Sequence, residues 1–268
     1  MILKSFGCQP MCMIRCFSEA IEVSKIKRKH IRNVNYYMPL LSEARRESIK
    51  KIVSIQMSGH YLSCTTILRD GNILKDWKVL NMPEEMNKFN LDDVYNSVAA
   101  LMKDIPESDI YLIENHVKMP NNVNVAGANL FYVKLQTLAM LIALINNSQA
   151  MNTSSDNTQE SMNKVVLMKA RLHARLFRII IGTEIISSQD ITEMMLKGIF
   201  PEYITPVVPA IDAILTYRSM KEPIIKELMS NGLMLAMTFV DLVLNSNPKS
   251  IQALNESSKR KLKTTKKL

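Results

Sequence analysis

The chain has 268 residues, 47% of them hydrophobic and 22% charged, with a net charge of +9 and four cysteines. That length holds one large domain, or one domain with substantial tails, and the composition is that of a globular protein rather than a disulfide scaffold. The charge is uneven: residues 1–51 carry 11 Lys/Arg against 4 Asp/Glu, residues 248–268 carry 7 against 1, and the stretch between them is net −4. Basic ends suit phosphate backbones or acidic protein surfaces, and they equally suit plain solubility.

Residues 1–35 read as a presequence and basic linker. "MILKSFGCQPMCMIRCFSEA" has no acid before Glu19 and carries Lys4 and Arg15, the bias of a mitochondrial presequence. A secretory signal fits less well, because Gln9 and Pro10 break its apolar run. Cys8, Cys12 and Cys16 recur every fourth residue, but no histidine or fourth cysteine follows at ligand spacing, so no metal is expected there. "LSEARRESIKK" (41–51) reads as a short helix capped by Ser42.

Three strands follow, over 51–57, 60–69 and 72–80, the last two joined by Asp70-Gly71, a strong hairpin signal. Cys64 falls inside the second and reads as core. "NLDDVYNSVAALMKDI" has an Asn90 cap, acids in its first turn and apolar residues at Leu91, Val94, Val98, Leu101 and Met102, which predicts a helix ended by Pro106. "DIYLIEN" (109–115) is too short for a helix and suits a buried parallel strand. A long apolar helix is predicted over 127–147, a polar loop over 148–163 and a strand over 164–168. Beyond them the pattern predicts helices over 169–181 and 187–199. A proline-interrupted, partly looped stretch comes next, then a last apolar helix over 221–246 and a disordered lysine-rich tail over 249–268. The longest apolar runs, 135–145 and 233–244, fall short of the ~20 residues that span a bilayer, so no membrane segment is expected.

This order describes an α/β protein with a mixed sheet and helices on both faces. It is the order of the ribonuclease H-like fold, and of RuvC-type resolvases in particular. Several stretches, "IVSIQMSGHYLSCTTILRDGNILKDW" (52–77), "IYLIEN" (110–115), "LQTLAMLIALIN" (135–146), "VVLMKARLHARLFRIIIG" (165–182) and "ELMSNGLMLAMTFVDLVLNSNP" (227–248), go further. In order and spacing they resemble the C-terminal pseudonuclease domain of the mitochondrial transcription elongation factors, over most of residues 39–248. The resemblance implies a domain at 36–248 without catalysis, which binds mitochondrial RNA polymerase and DNA, and possibly nascent RNA, with little sequence preference. It also implies a homodimer, the mitochondrial nucleoid as location, and no cofactor. That family carries a helix-hairpin-helix domain ahead of this one, and only about 50 residues precede the first strand here.

Active enzymes of the fold hold two divalent ions between carboxylates, because both the attacking and the leaving oxygen of a phosphodiester need a hard cation. Carried onto this chain, the resemblance places those positions at Gln56, Glu114, Asn231 and Met234. One is acidic; the others are neutral and bind magnesium poorly. Asp241 lies ten residues past Asn231, roughly 15 Å along a helix, and does not replace it. Glu114 reads as a strand-end carboxylate that faces solvent or pairs with a base such as His60. A metal-dependent, structure-selective nuclease with a rearranged acid set is the alternative.

For nucleic acid or polymerase the candidates are Lys164, Lys169, Arg171, Arg175 and Arg178, with no acid among them until Glu184. On one helix Arg171, Arg175 and Arg178 form a stripe that can follow a phosphate backbone, or an ordinary solvated face. Lys259, Arg260 and Lys261 in the tail are a second candidate.

Overall fold

Strand β1 (Tyr37–Met38) and helix α1 (Glu43–Ser48) lead into the sheet. Ser42 caps α1 by accepting from Arg45 N, and the Arg69 guanidinium closes its other end by donating to the carbonyls of Arg46, Glu47 and Ile49. These interactions belong to a computed structural model that describes residues 36–82, 90–115, 125–147, 163–181 and 184–264. The presequence expected at 1–35, its three cysteines, His116 and residues 148–162 lie outside that set.

Strand β2 (Lys51–Ser58) turns through Gly59 into β3 (Tyr61–Leu68), and Asp70-Gly71 carries the chain into β4 (Ile73–Asn81). The two glycines sit at φ 55° and 73°, backbone that L side chains rarely adopt, so the turn residues themselves set both reversals. Helix α2 (Leu91–Met102) then crosses over to β5 (Ile110–Asn115), which pairs in parallel with β2. Helix α3 (Val125–Asn147) crosses to β6 (Val165–Lys169), parallel to β5. With β9 (Val208–Pro209) on the far edge, the seven-stranded sheet runs β1-β6-β5-β2-β3-β4-β9. Three antiparallel strands, with a fourth parallel to the first and a fifth parallel to the fourth, make the ribonuclease H-like fold.

Alternation along the strands gives the sheet two different faces. Val53, Ile55, Met57, Leu62, Cys64, Tyr111 and Ile113 pack with Val94, Val98, Leu138 and Leu141 of α2 and α3 in one apolar core. Burial pushes the Cys64 thiol up to about 12, so it is an inert core residue, as its place in the strand implied. The opposite face is more polar and carries α7 (Pro223–Phe239). Ser54 Oγ donates to Gly232 O at 2.6 Å, Trp77 Nε1 donates to Met229 O at 3.1 Å, and Ser230 Oγ bonds Tyr217 of α6 (Ile211–Ser219) at 2.9 Å. A π turn over Val240–Leu244 ends α7. There the buried Asp241 accepts from Thr205 N at 3.1 Å, from Thr205 Oγ1, and from Ser250 Oγ at 3.2 Å.

Four expectations change. The helix predicted over 169–181 is one short helix, α4 (Leu172–Leu176), followed by β7 (Ile180–Ile181), which pairs with β8 (Glu184–Ile185). Arg171 and Arg178 flank it at φ 57° and 55°, and a left-handed residue cannot continue an α-helix. After α5 (Ser188–Leu196), the proline-interrupted stretch contains α6, which starts after Pro209 and stops before Pro223. The tail expected to be disordered is helical, α8 (Pro248–Thr264), because Ala253 and Leu254 are buried and α8 packs on α4. Finally, Gly127–Asn147 and Pro223–Leu244 are long and apolar enough to cross a bilayer, since each helix runs past the apolar run counted in it. Most of the second is buried in the protein, and the first sends Leu138, Leu141 and Ile145 into the core.

Gly232 sets how closely α7 lies on the sheet. A Cβ there would stand 2.4 Å from Thr65 Oγ1 and 3.2 Å from Ser54 Oγ. Gly232→Ala is therefore expected to destabilise by about 1–3 kcal/mol even though alanine is the better helix former. Adding Thr65→Ala removes the clashing oxygen and should recover part of the loss in a thermal or urea melt.

Candidate functional site

Strands β2 and β5 are in register at Ile55 and Ile113, so the next residues, Gln56 and Glu114, are lateral neighbours at the strand ends. Both lie on the face that carries α7, since Ser54, two residues before Gln56, bonds Gly232. The parallel order thus brings together the first- and fourth-strand positions inferred above. Both are buried, as is Met234 on α7. Asn231 is half-buried and turns back along its own helix, donating from Nδ2 to Glu227 Oε1 at 3.4 Å.

The Glu114 carboxylate is engaged by its own chain. β6 ends beside β5, with Lys169 opposite Asn115, so the residues after β6 pass over the end of β5. There Glu114 Oε1 accepts the Arg171 N–H, and Oε2 lies 3.9 Å from Nδ1 of the buried His173. A bond from a backbone N–H to a charged oxygen contributes about 1.5–3 kcal/mol, enough to offset the roughly 1–2 kcal/mol of holding Arg171 in left-handed backbone. Lys134 of α3 adds to the same field. Burial lowers its pKa from the ordinary lysine value, and the Glu114 charge acts against that shift.

The divalent ions of the active enzymes do not fit these residues. Gln56 is a buried neutral amide whose Nε2 has no hydrogen-bond partner among the described residues, and it carries no charge to offset that of a divalent ion. Met234 offers a soft thioether, unsuited to magnesium. No group of three or more His, Cys, Asp or Glu side chains able to hold a metal occurs among the described residues. His60, considered as a partner for Glu114, is displaced from that role by His173, and its carbonyl instead accepts Met82 N at 2.7 Å.

The basic residues do not form one stripe. Lys164 stands before β6, its N bonded to Asn146 Oδ1 at 3.0 Å, at the opposite end of the strand from Lys169. Arg178 leaves the set by stacking over the Tyr203 ring, 5.2 Å from its centroid. Lys169 and Arg171 are exposed and Arg175 is half-buried, all at the end of β6 where Glu114 lies. Lys259, Arg260 and Lys261 lie on α8, with side chains outside the described residues. Sequence reasoning missed His173, Lys134 and the Arg171 N–H. The available signal was that residues just after one parallel strand sit beside the end of its neighbour.

No family model and no curated protein matches the chain. Among solved structures it is similar to Thermus thermophilus RuvC in complex with Holliday junction substrate, at 11% identity over 72% of this chain and 96% of that one, with a TM-score of 0.37. A second Thermus thermophilus RuvC structure has 11% identity over 74% and 97%, with a TM-score of 0.38.

Removing the carboxylate should leave a strained turn without its acceptor. Glu114→Ala is expected to lose about 1–3 kcal/mol in urea unfolding, and Glu114→Gln, which keeps an acceptor oxygen, less. Millimolar magnesium should leave the wild-type melting midpoint where EDTA leaves it; a midpoint raised by magnesium and not in Glu114→Gln would make Glu114 a metal ligand.

Proposed function

We propose that this protein is a non-catalytic nucleic-acid-binding factor of mitochondrial transcription. It holds mitochondrial RNA polymerase and downstream DNA together and so raises processivity during elongation. The carrying observation is the pair Gln56 and Glu114, neighbours on β2 and β5, where one carboxylate remains and both of its oxygens face its own chain. Among the described residues no group of acids able to hold two metal ions occurs, which supports the non-catalytic reading, while the strand order of the ribonuclease H-like fold is present. The basic residues at the end of β6 support contact with a phosphate backbone that requires no base readout. Membership of the elongation-factor family, the polymerase as partner, the matrix location and a homodimer rest on the sequence resemblance.

The retained acid at Glu114 favours a second reading, a structure-selective nuclease with a rearranged acid set. One experiment separates the two. The purified chain is incubated with magnesium or manganese on junction, flap and RNA–DNA hybrid substrates, and in parallel added to mitochondrial RNA polymerase on a long template. The expected outcome is no cleavage and longer transcripts. Cleavage abolished by Glu114→Gln would establish the nuclease instead, and unchanged transcript length would remove the elongation role.

A further inference from the structure

We infer that the corner where enzymes of this fold hold metal ions is, in this protein, a seat for a phosphodiester backbone that works without metal, with Arg171 as a contact and Glu114 as its positioning residue. The inference rests on the nucleic-acid-binding reading above and adds the residues and the metal independence.

Three observations meet here. The parallel pairing of β5 and β6 brings the chain after Lys169 across the end of β5, directly over Glu114. The Arg171 backbone is held at φ 57° by its N–H bond to Glu114, a conformation that glycine adopts freely and arginine does not. The side chain so placed is exposed, beside the exposed Lys169 and one turn of α4 from the half-buried Arg175. Glu114 thus acts through the main chain and leaves the guanidinium pointing its charge at solvent. His173 Nδ1 lies 3.9 Å from the same carboxylate, and the charges of Lys134 and Glu114 act on each other.

The electrostatics then reverse relative to an active enzyme. There, clustered acids repel phosphate until metal ions bridge the two. Here the exposed cationic side chains of Lys169 and Arg171 stand at the end of β6 beside that position, and a guanidinium with planar, paired donors recognises a phosphate with no bridging ion. Binding of this kind loosens with salt, because each phosphate neutralised releases counterions, and is indifferent to chelators.

Arg171→Gly separates the two roles of this residue. Glycine keeps the N–H donor and suits the left-handed backbone, so the anchor on Glu114 survives while the guanidinium is lost. Binding of the full chain to a short labelled duplex is measured by fluorescence anisotropy over a salt series, with EDTA and with magnesium. Wild-type binding is expected to persist in EDTA, and magnesium should weaken it only as an added counterion does. Arg171→Gly should bind about 3–10-fold more weakly, with a salt slope shallower by about one, at an unchanged or higher melting midpoint. Glu114→Gln should weaken binding in the same direction, and Lys78→Gln, three strands away on β4, should bind as wild type. Wild-type binding that collapses in EDTA, or an Arg171→Gly variant with wild-type affinity and slope, would overturn the inference and leave the nucleic-acid reading standing. A wild-type chain that does not bind the duplex at all would overturn both.

Discussion

The closeness of α7 to the sheet at Gly232 is the constraint on which the rest depends. A helix this near a β surface leaves no room for a side chain at the contact, and it forces polar strand residues against helix carbonyls. Ser54, Trp77 and Tyr217 each reach α7 with a polar group, at Gly232, Met229 and Ser230 in turn. The far end is fixed as well: buried Asp241 ties the π turn to the loop at Thr205 and to the start of α8 through Ser250. Asp241, which does not fall at a metal-ligand position, is a hub of structural hydrogen bonds to Thr205 and Ser250.

Most of the sheet was legible in the sequence, for local reasons. Gly59 and Asp70-Gly71 mark the hairpins, and "DIYLIEN" is short, apolar and bounded, which suits a buried parallel strand and little else. The misreading of 169–181 arose because periodicity does not report backbone dihedrals. "KARLHARLFRIII" has the spacing of a helix, yet two of its arginines adopt left-handed backbone, because a carboxylate from a strand 57 residues earlier holds the first of them. Helix α6 was obscured by three prolines that mark its surroundings rather than its interior. The lysine-rich tail looked disordered because only Ala253 and Leu254 among its described apolar residues are buried, too few for an apolar stripe to stand out.

The site divides along the same line. Gln56 and Glu114 could be placed from element order, since the fold makes their strands neighbours. His173 and Lys134 could not, because they reach Glu114 from β6–α4 and from α3, and only the three-dimensional register decides which residue of each arrives. The basic stripe failed for a related reason. Spacings of four and three count as one face only on a continuous helix, and the helix here is five residues long.

What becomes of a carboxylate when its metal partners go follows from solvation. A cluster of acids with two cations is close to neutral as a unit and can be buried. Replace the other acids with an amide and a thioether, and the remaining carboxylate is a buried charge without compensation, costly unless it is hydrogen-bonded or paired. Substitution by a neutral residue is one escape, taken at Gln56. The other is to recruit partners from the protein: Glu114 accepts the Arg171 N–H, has His173 Nδ1 3.9 Å away and lies in the field of Lys134. Recruitment has a structural consequence that neutralisation lacks, since it fixes the turn after β6 in a conformation no local preference favours. One carboxylate therefore has two results: the bond that satisfies Glu114 is the bond that sets the backbone of Arg171 in the basic turn after β6.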